Sequence, residues 1–301
     1  ILTVLITTVL MAWLTKWTPR LKFVVGSARE LLPLGIQFTS ANLINSIYTE
    51  GRSLVIGKFY SSADLAFFNR GNQFPALIVG NLNTPISNVM LPLMAEKKDS
   101  QYALKSVLRK AMQLSAYLVF PMMGILAACA HPLVLVLLGQ KWAECVPYLQ
   151  VACLFYLFQP LQSMNWQALK AAGQGALCFK LEVIKKAISF IVLIMSIPFG
   201  VFAISLSSAF CGFVSMLINM TPNKKVLGYG IFEQLIDVLK PSIATLFSVV
   251  IALLLIHISN GNIISLIVAP LGSLGCYIVL SKLMNIEGFN LLMDKLSLRR
   301  N

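Results

Sequence analysis

The feature that most constrains this sequence is a series of long apolar runs, joined by short links that hold most of the charges. The runs cover about residues 31–59, 65–94, 111–138, 148–169, 187–202, 203–220, 241–258 and 263–283. A bilayer-spanning helix needs about 20 apolar residues, and inside hydrocarbon each backbone N–H and C=O must find its partner within the segment. The runs therefore predict an all-α, polytopic membrane protein with eight spans. Composition argues against a single aqueous core: 57% of the residues are hydrophobic and 12% are charged, where a soluble domain has about 25% charged.

The opening run, ILTVLITTVLMAWL (1–14), is too short to cross a bilayer. It also lacks the charged start and small-residue cleavage site of a signal peptide. It reads as the back half of a helix, which makes the chain an expected fragment. Between the later runs, AEKKDSQYALKSVLRK (95–110) reads as a loop with an amphipathic turn started by Asp99. In TPNKKVLGYGIFEQLIDVLK (221–240), Leu227, Ile231, Leu235 and Val238 have the spacing of a helix lying at the membrane surface.

Alternating the links between the two sides of the membrane divides the 24 Lys and Arg residues sharply. Arg52, Lys58, Arg70 and Lys141 fall on one side and the other twenty on the opposite side, Lys180, Lys185 and Lys186 among them. The positive-inside rule makes the richer side cytoplasmic and places the C-terminus there. The same bias accounts for the net charge of +13 without a nucleic-acid partner.

No link is long enough to fold as an external domain. There is no Ser/His/Asp grouping, no Gly-rich phosphate loop and no cluster of metal ligands. Cys129, Cys145, Cys153, Cys178, Cys211 and Cys276 form no C-x-x-C pair and read as small hydrophobes. His131 and His257 stand far apart in the sequence. The expectation is a non-enzyme with no metal or cofactor.

Polar residues inside the runs are patterned. At 100° per residue, Asn42, Asn45, Thr49 and Arg52 share one face of the first span. Asn69, Gln73, Gly80, Asn83, Thr84 and Ser87 share a face of the second, and Gln159, Gln162, Ser163, Trp166 and Lys170 make a weaker stripe on the fourth. The last two spans have almost none. A lone amide in a membrane helix commonly bonds to a neighbouring helix. Several on one stripe, ending in Arg52, favour a water-filled cavity. Arg52 and Arg70 also suit snorkelling to headgroups, paired with Glu50 or Asp64; Lys58 and Asp64 read as solvated turn residues. On these boundaries no acidic residue falls near the middle of a span, where an exporter of cationic drugs would be expected to bury one. Amides, hydroxyls and guanidinium groups instead suit an anionic, sugar-rich substrate, since Arg donates paired hydrogen bonds to phosphate. Pro75, Pro85, Pro92, Pro121 and Pro160 predict bent helices of the kind transporters use.

The stretches VIGKFYSSADLAFFNRGNQFP (55–75), LVLLGQKWAECVPYLQ (135–150), KLEVIKKAISFIVLIMSIPFGVFAI (180–204) and GYGIFEQLIDVLKP (228–241) carry a resemblance. They resemble the O-unit lipopolysaccharide and exopolysaccharide flippases of the multidrug/oligosaccharidyl-lipid/polysaccharide exporter superfamily. The resemblance implies two six-helix lobes around a central cavity, with two accessory helices at the end. On that plan residues 1–14 end a truncated helix and 15–30 form a basic cytoplasmic linker. The C-terminal six-helix lobe is 31–222, a cytoplasmic interfacial linker 223–240, the two extra transmembrane helices 241–284 and a cytoplasmic tail 285–301; the N-terminal lobe is absent. The implied activity is alternating-access transfer of undecaprenyl-pyrophosphate-linked oligosaccharide across the bacterial inner membrane. Its implied partners are the lipid-linked oligosaccharide, membrane lipid and the polysaccharide polymerase machinery. An ion-coupled drug or metabolite antiporter of the same superfamily stays open as an alternative, as does, more remotely, a membrane polysaccharide polymerase or ligase. The expected cavity residues are Arg52, Arg70, Asn42, Asn45, Thr49, Asn69, Gln73, Asn83, Thr84 and Ser87.

Overall fold

The computed structural model describes residues 2–14, 32, 43, 46, 50–259 and 265–298. Every regular element among the described residues is helical, as the apolar runs require. The chain divides into two compact units, residues 1–43 and 44–301. The first contains α1 (Leu2–Leu14).

The second unit begins its described part with α2 (residues 50–59) and α3 (Ser62–Glu96). The turn between them ends in a capping box. Ser61 Oγ accepts from Asp64 N at 3.1 Å, and Ser61 N donates to Asp64 Oδ2 at 3.2 Å. Asp64, read from the sequence as a solvated turn residue, thus closes the first turn of α3, and the two side chains together satisfy two backbone donors. Tyr60 ties this turn to another part of the chain: its hydroxyl donates to Ile197 O and accepts from Gly200 N.

α4 spans Gln101–Ala128. Its N-cap is Ser100, whose Oγ accepts from Ala103 N, in place of the expected Asp99. Residues 101–110 of the stretch read as a loop are therefore the start of α4, and Ala95 and Glu96 end α3. Leu104, Leu108, Ala111 and Met112 recur at helical spacing and are buried, which holds these turns against the core while the charges face outward. The chain continues through α5 (Ala130–Leu137), a 3₁₀ turn at Gln140–Cys145, α6 (Val146–Ala171) and α7 (Gly175–Ser196). It ends with α8 (Val201–Met220), α9 (Asn223–Leu227), α10 (Ile231–Ile258), α11 (Ser265–Leu283) and α12 (Glu287–Leu298). Of the expected surface helix, Leu227 ends α9, whereas Ile231, Leu235 and Val238 share one continuous helix, α10, with the seventh apolar run, and Pro241 lies inside it.

α6 is the hub, packed on α3, α4, α7 and α8. Its Leu161, Met164 and Ala168 join Leu108, Met112 and Phe120 of α4 and Met216 and Met220 of α8 in one buried cluster. α10 and α11 pack on each other, and α10 also packs on α4. The buried face of α11 is Ser265, Ala269, Ser273, Tyr277 and Ser281, one residue in four. Opposite it, α10 buries Ala244, Thr245, Ser248 and Ala252. Small side chains let membrane helices approach closely, which substitutes for the hydrophobic drive that lipid does not provide.

Among the described residues, four helical stretches are long and apolar enough to cross a membrane: Gln101–Ala128, Val201–Leu227, Ile231–Ile258 and Ser265–Leu283. α3, α6 and α7 are of spanning length, at 35, 26 and 22 residues. These three carry most of the polar residues that line the cavity described next.

Candidate functional site, a cationic cavity

A cavity of about 440 Å³ opens between α2, α3, α6, α7 and α8. α2 contributes Arg52 and Ser53; α3 contributes Phe68, Asn69 and Asn72. α6 contributes Phe155, Tyr156, Gln159 and Gln162, and α8 contributes Cys211, Gly212 and Ser215. The remaining wall is Glu182, Lys185, Lys186 and Ser189 of α7.

The close approach of α6 to α8 depends on Gly212. A Cβ there would lie 2.8 Å from the Phe155 ring. With the backbone this near, Gln162 Nε2 donates to Gly212 O at 3.0 Å, and Asn219 Nδ2 donates to Gln162 O at 3.3 Å. Across the cavity, Ser53 Oγ donates to Asn69 Oδ1 at 3.5 Å, and Asn72 Nδ2 donates to Phe68 O at 2.8 Å.

The charged wall lies on a helix that begins well before the run read from the sequence. The fifth span was expected to begin at Ala187, which would leave Lys185 and Lys186 in a cytoplasmic link. α7 begins at Gly175 instead, because Leu177, Cys178 and Leu181 already pack against Leu169 and Trp166 of α6. Lys185 thus lies about 15 Å along the helix from its start, at about 1.5 Å per residue. Glu182 is the carboxylate that the sequence boundaries placed outside the spans. Its Oε2 lies 2.7 Å from Lys185 Nζ, and its Oε1 lies 3.7 Å from Lys186 Nζ. The i,i+3 and i,i+4 spacings set both ammonium groups beside one carboxylate. All three side chains are well shielded: Lys185 is 9% exposed, Lys186 15% and Glu182 18%. Lys185 also sits 4.9 Å over the Trp166 ring, where a desolvated ammonium is held by the ring's quadrupole. With Arg52, the lining has three cations against one carboxylate among its described residues.

The sequence-predicted residues are distributed as follows. Arg52 and Asn69 line the cavity. Arg70 lies outside its lining: its Nη1 donates to Gln73 Oε1 at 2.7 Å, and its guanidinium stacks 5.0 Å over Trp142. Gln73 and Thr84 are exposed and Asn83 is half-buried. Ser87 is buried and shares a 3.0 Å hydrogen bond with Ser163, joining α3 to α6. Asn42, Asn45 and Thr49 lie outside the described residues. Asn72, Glu182, Lys185, Lys186 and Ser189 enter from the structure. The heptapeptide KLEVIKK (180–186) carried the signal, since a Glu with Lys at i+3 and i+4 is helix spacing.

A second charge cluster joins α4 to α10 away from the cavity. The Asp237 side chain is 4% exposed and pairs with Arg109 Nη2 at 2.5 Å. Tyr229 donates its hydroxyl to Asp237 Oδ2 at 2.6 Å. Burial, and then this bond, push the Tyr229 phenol above its ordinary pKa and keep it a neutral donor. Nearby, Lys105 bridges Glu233 and Gly228 O, each at 2.7 Å.

Comparison with known proteins follows the same lines. Residues 1–147 match the family described as polysaccharide biosynthesis protein. Teichuronic acid biosynthesis protein TuaB of Bacillus subtilis is 23% identical over 164 residues, 54% of this chain and 34% of that protein. Lipopolysaccharide biosynthesis protein WzxC of Escherichia coli is 24% identical over 169 residues, 56% of this chain and 34% of the relative. The resemblance to polysaccharide biosynthesis proteins read from the sequence is borne out. Succinoglycan biosynthesis transport protein ExoT of Rhizobium meliloti agrees, with 24% identity over 165 residues, 55% of this chain and 33% of ExoT. Among solved structures, the lipid II flippase MurJ in an inward closed conformation superposes with a TM-score of 0.71 at 15% identity. That superposition covers 88% of this chain and 56% of MurJ. The matched segments therefore span about a third of the curated relatives and about half of MurJ. The chain is a multi-pass membrane protein with the MurJ fold, related to polysaccharide biosynthesis proteins.

Proposed function

We propose that this protein moves an undecaprenyl-pyrophosphate-linked oligosaccharide across the bacterial inner membrane, by alternating access, for surface polysaccharide biosynthesis. The observation that carries this reading is the cavity lining. Arg52, Lys185 and Lys186 supply positive charge for a diphosphate, and Asn69, Asn72, Gln159 and Gln162 supply hydrogen bonds for sugar hydroxyls. The names of TuaB, WzxC and ExoT, all concerned with polysaccharides, support the substrate class. In this reading the C-terminus is cytoplasmic, α2 to α8 belong to one transport lobe and α10 and α11 are accessory helices. The isoprenoid tail stays in membrane lipid, and the delivered oligosaccharide passes to the polymerase machinery.

The test is reconstitution of the full-length protein into vesicles with labelled lipid-linked oligosaccharide on one leaflet. Protein-dependent arrival at the other leaflet, read by a membrane-impermeant glycosidase, supports the reading; arrival at the rate of empty vesicles refutes it. Glu182 favours a second reading, an ion-coupled antiporter, because a shielded carboxylate is what that chemistry needs. Its contact with two lysines argues for the anionic substrate, since the cavity's remaining charge is positive. Proton-gradient-driven efflux of a cationic dye, without oligosaccharide transfer, would decide for the antiporter.

A further inference from the structure

We propose that Glu182 is an internal counter-anion, which occupies the cavity lysines while the cavity is empty and gives them up to the diphosphate of the incoming lipid. This rests on the flippase reading above for the identity of the anion.

Three cations facing one small, shielded cavity repel one another, and that repulsion grows as the local dielectric falls. Glu182 offsets it from within α7. Its two carboxylate oxygens are directed to different lysines, one each, as two oxygens of a bound phosphate would be. The two contacts are unequal. Lys185 is held at 2.7 Å and is also fixed over Trp166, so it is the anchored member. Lys186 lies 3.7 Å from the other carboxylate oxygen, the longer of the two contacts. The exchange replaces a carboxylate by a more highly charged diphosphate and leaves Glu182 beside it. That carboxylate then repels the bound anion. Glu182 therefore lowers affinity for the head group and speeds its departure, which a transporter needs on the releasing side. It acts as a positioning residue for the lysines.

The experiment measures binding of inorganic pyrophosphate to the purified full-length protein by calorimetry, for the parent, Glu182→Gln, Glu182→Asp and Lys186→Gln. Glu182→Gln keeps the shape and removes the charge; it should bind pyrophosphate about tenfold more tightly. In vesicles it should lower KM and kcat for lipid-linked oligosaccharide together. Glu182→Asp withdraws the carboxylate by one methylene and should fall between parent and Gln, and Lys186→Gln should bind more weakly than the parent. A merely structural role would change thermal stability and leave the affinities together. The proposal is overturned if neither Glu182 variant that folds binds pyrophosphate more tightly than the parent, or if the parent does not bind it. The flippase reading fails separately: tighter binding by Glu182→Gln with no oligosaccharide transfer by the parent would leave the counter-anion in place and remove the lipid as its substrate.

Discussion

The side-chain amide of Gln162 donates to the carbonyl oxygen of Gly212 at 3.0 Å, and this bond joins α6 to α8 at the wall of the cationic cavity. The contact exists because residue 212 has no Cβ; one would stand 2.8 Å from the Phe155 ring. Gly212→Val should push Phe155 and α8 apart and cost about 1–3 kcal/mol of stability, as overpacking does. Because Phe155 also lines the cavity, oligosaccharide transfer should fall further than the loss of folded protein explains. Transfer rate per folded molecule, measured beside the thermal melt, checks this.

Two glycines of α3 make a matched pair. A Cβ at Gly71 would lie 2.8 Å from Leu149 N and 3.0 Å from Cys145 O, backbone atoms that cannot rotate away. A Cβ at Gly80 would meet nothing within 4 Å. Gly71→Ala should therefore destabilise by about 1–3 kcal/mol. Gly80→Ala should be neutral or stabilise by about 0.5–1 kcal/mol, because Ala is the better helix former. In one detergent the melting temperature of purified Gly71→Ala should fall, and that of Gly80→Ala should hold or rise.

Asp237 holds α10 to α4 through Arg109 and to the α9–α10 turn through Tyr229. Tyr229→Phe removes one hydrogen bond and should cost about 1 kcal/mol, raised by the buried acceptor left behind. Asp237→Asn should cost more, about 1–3 kcal/mol, with the upper end discounted because the Arg109 side chain is 49% exposed. The double variant should lose less than the sum of the two, since both delete the same contact. Chemical unfolding of all three variants reads the coupling directly.

Helices of this protein were legible in the sequence wherever hydrophobic length alone decided them. The runs at 65–94 and 148–169 lie within α3 and α6, and the described part of the run at 263–283 is α11. Boundaries failed where charged residues sit on a helix that is buried on its other face. Lys105 and Arg109 looked like loop residues because their helical neighbours Leu104 and Leu108 carry the packing. Lys185 and Lys186 read as link residues for the same reason, and with them went the charged wall of the cavity. Arg52 and Asn69 were reached from stripe geometry on single helices. That geometry is silent on which helices meet, so it grouped Thr84, which is exposed, with Ser87, which is bonded to Ser163 of α6. Asn72, Gln159 and Ser189 come together only once α3, α6 and α7 are packed.

The central claim is that the positive charge of this cavity handles an anionic lipid head group, and Arg52 tests it most directly. The measurement is delivery of lipid-linked oligosaccharide to the far leaflet by the full-length protein, comparing the parent, Arg52→Ala and Arg52→Lys at equal protein levels. The account predicts at least a tenfold loss for Arg52→Ala and partial recovery for Arg52→Lys, which restores charge without the paired hydrogen bonds. Delivery by Arg52→Ala at the parent's rate would contradict it.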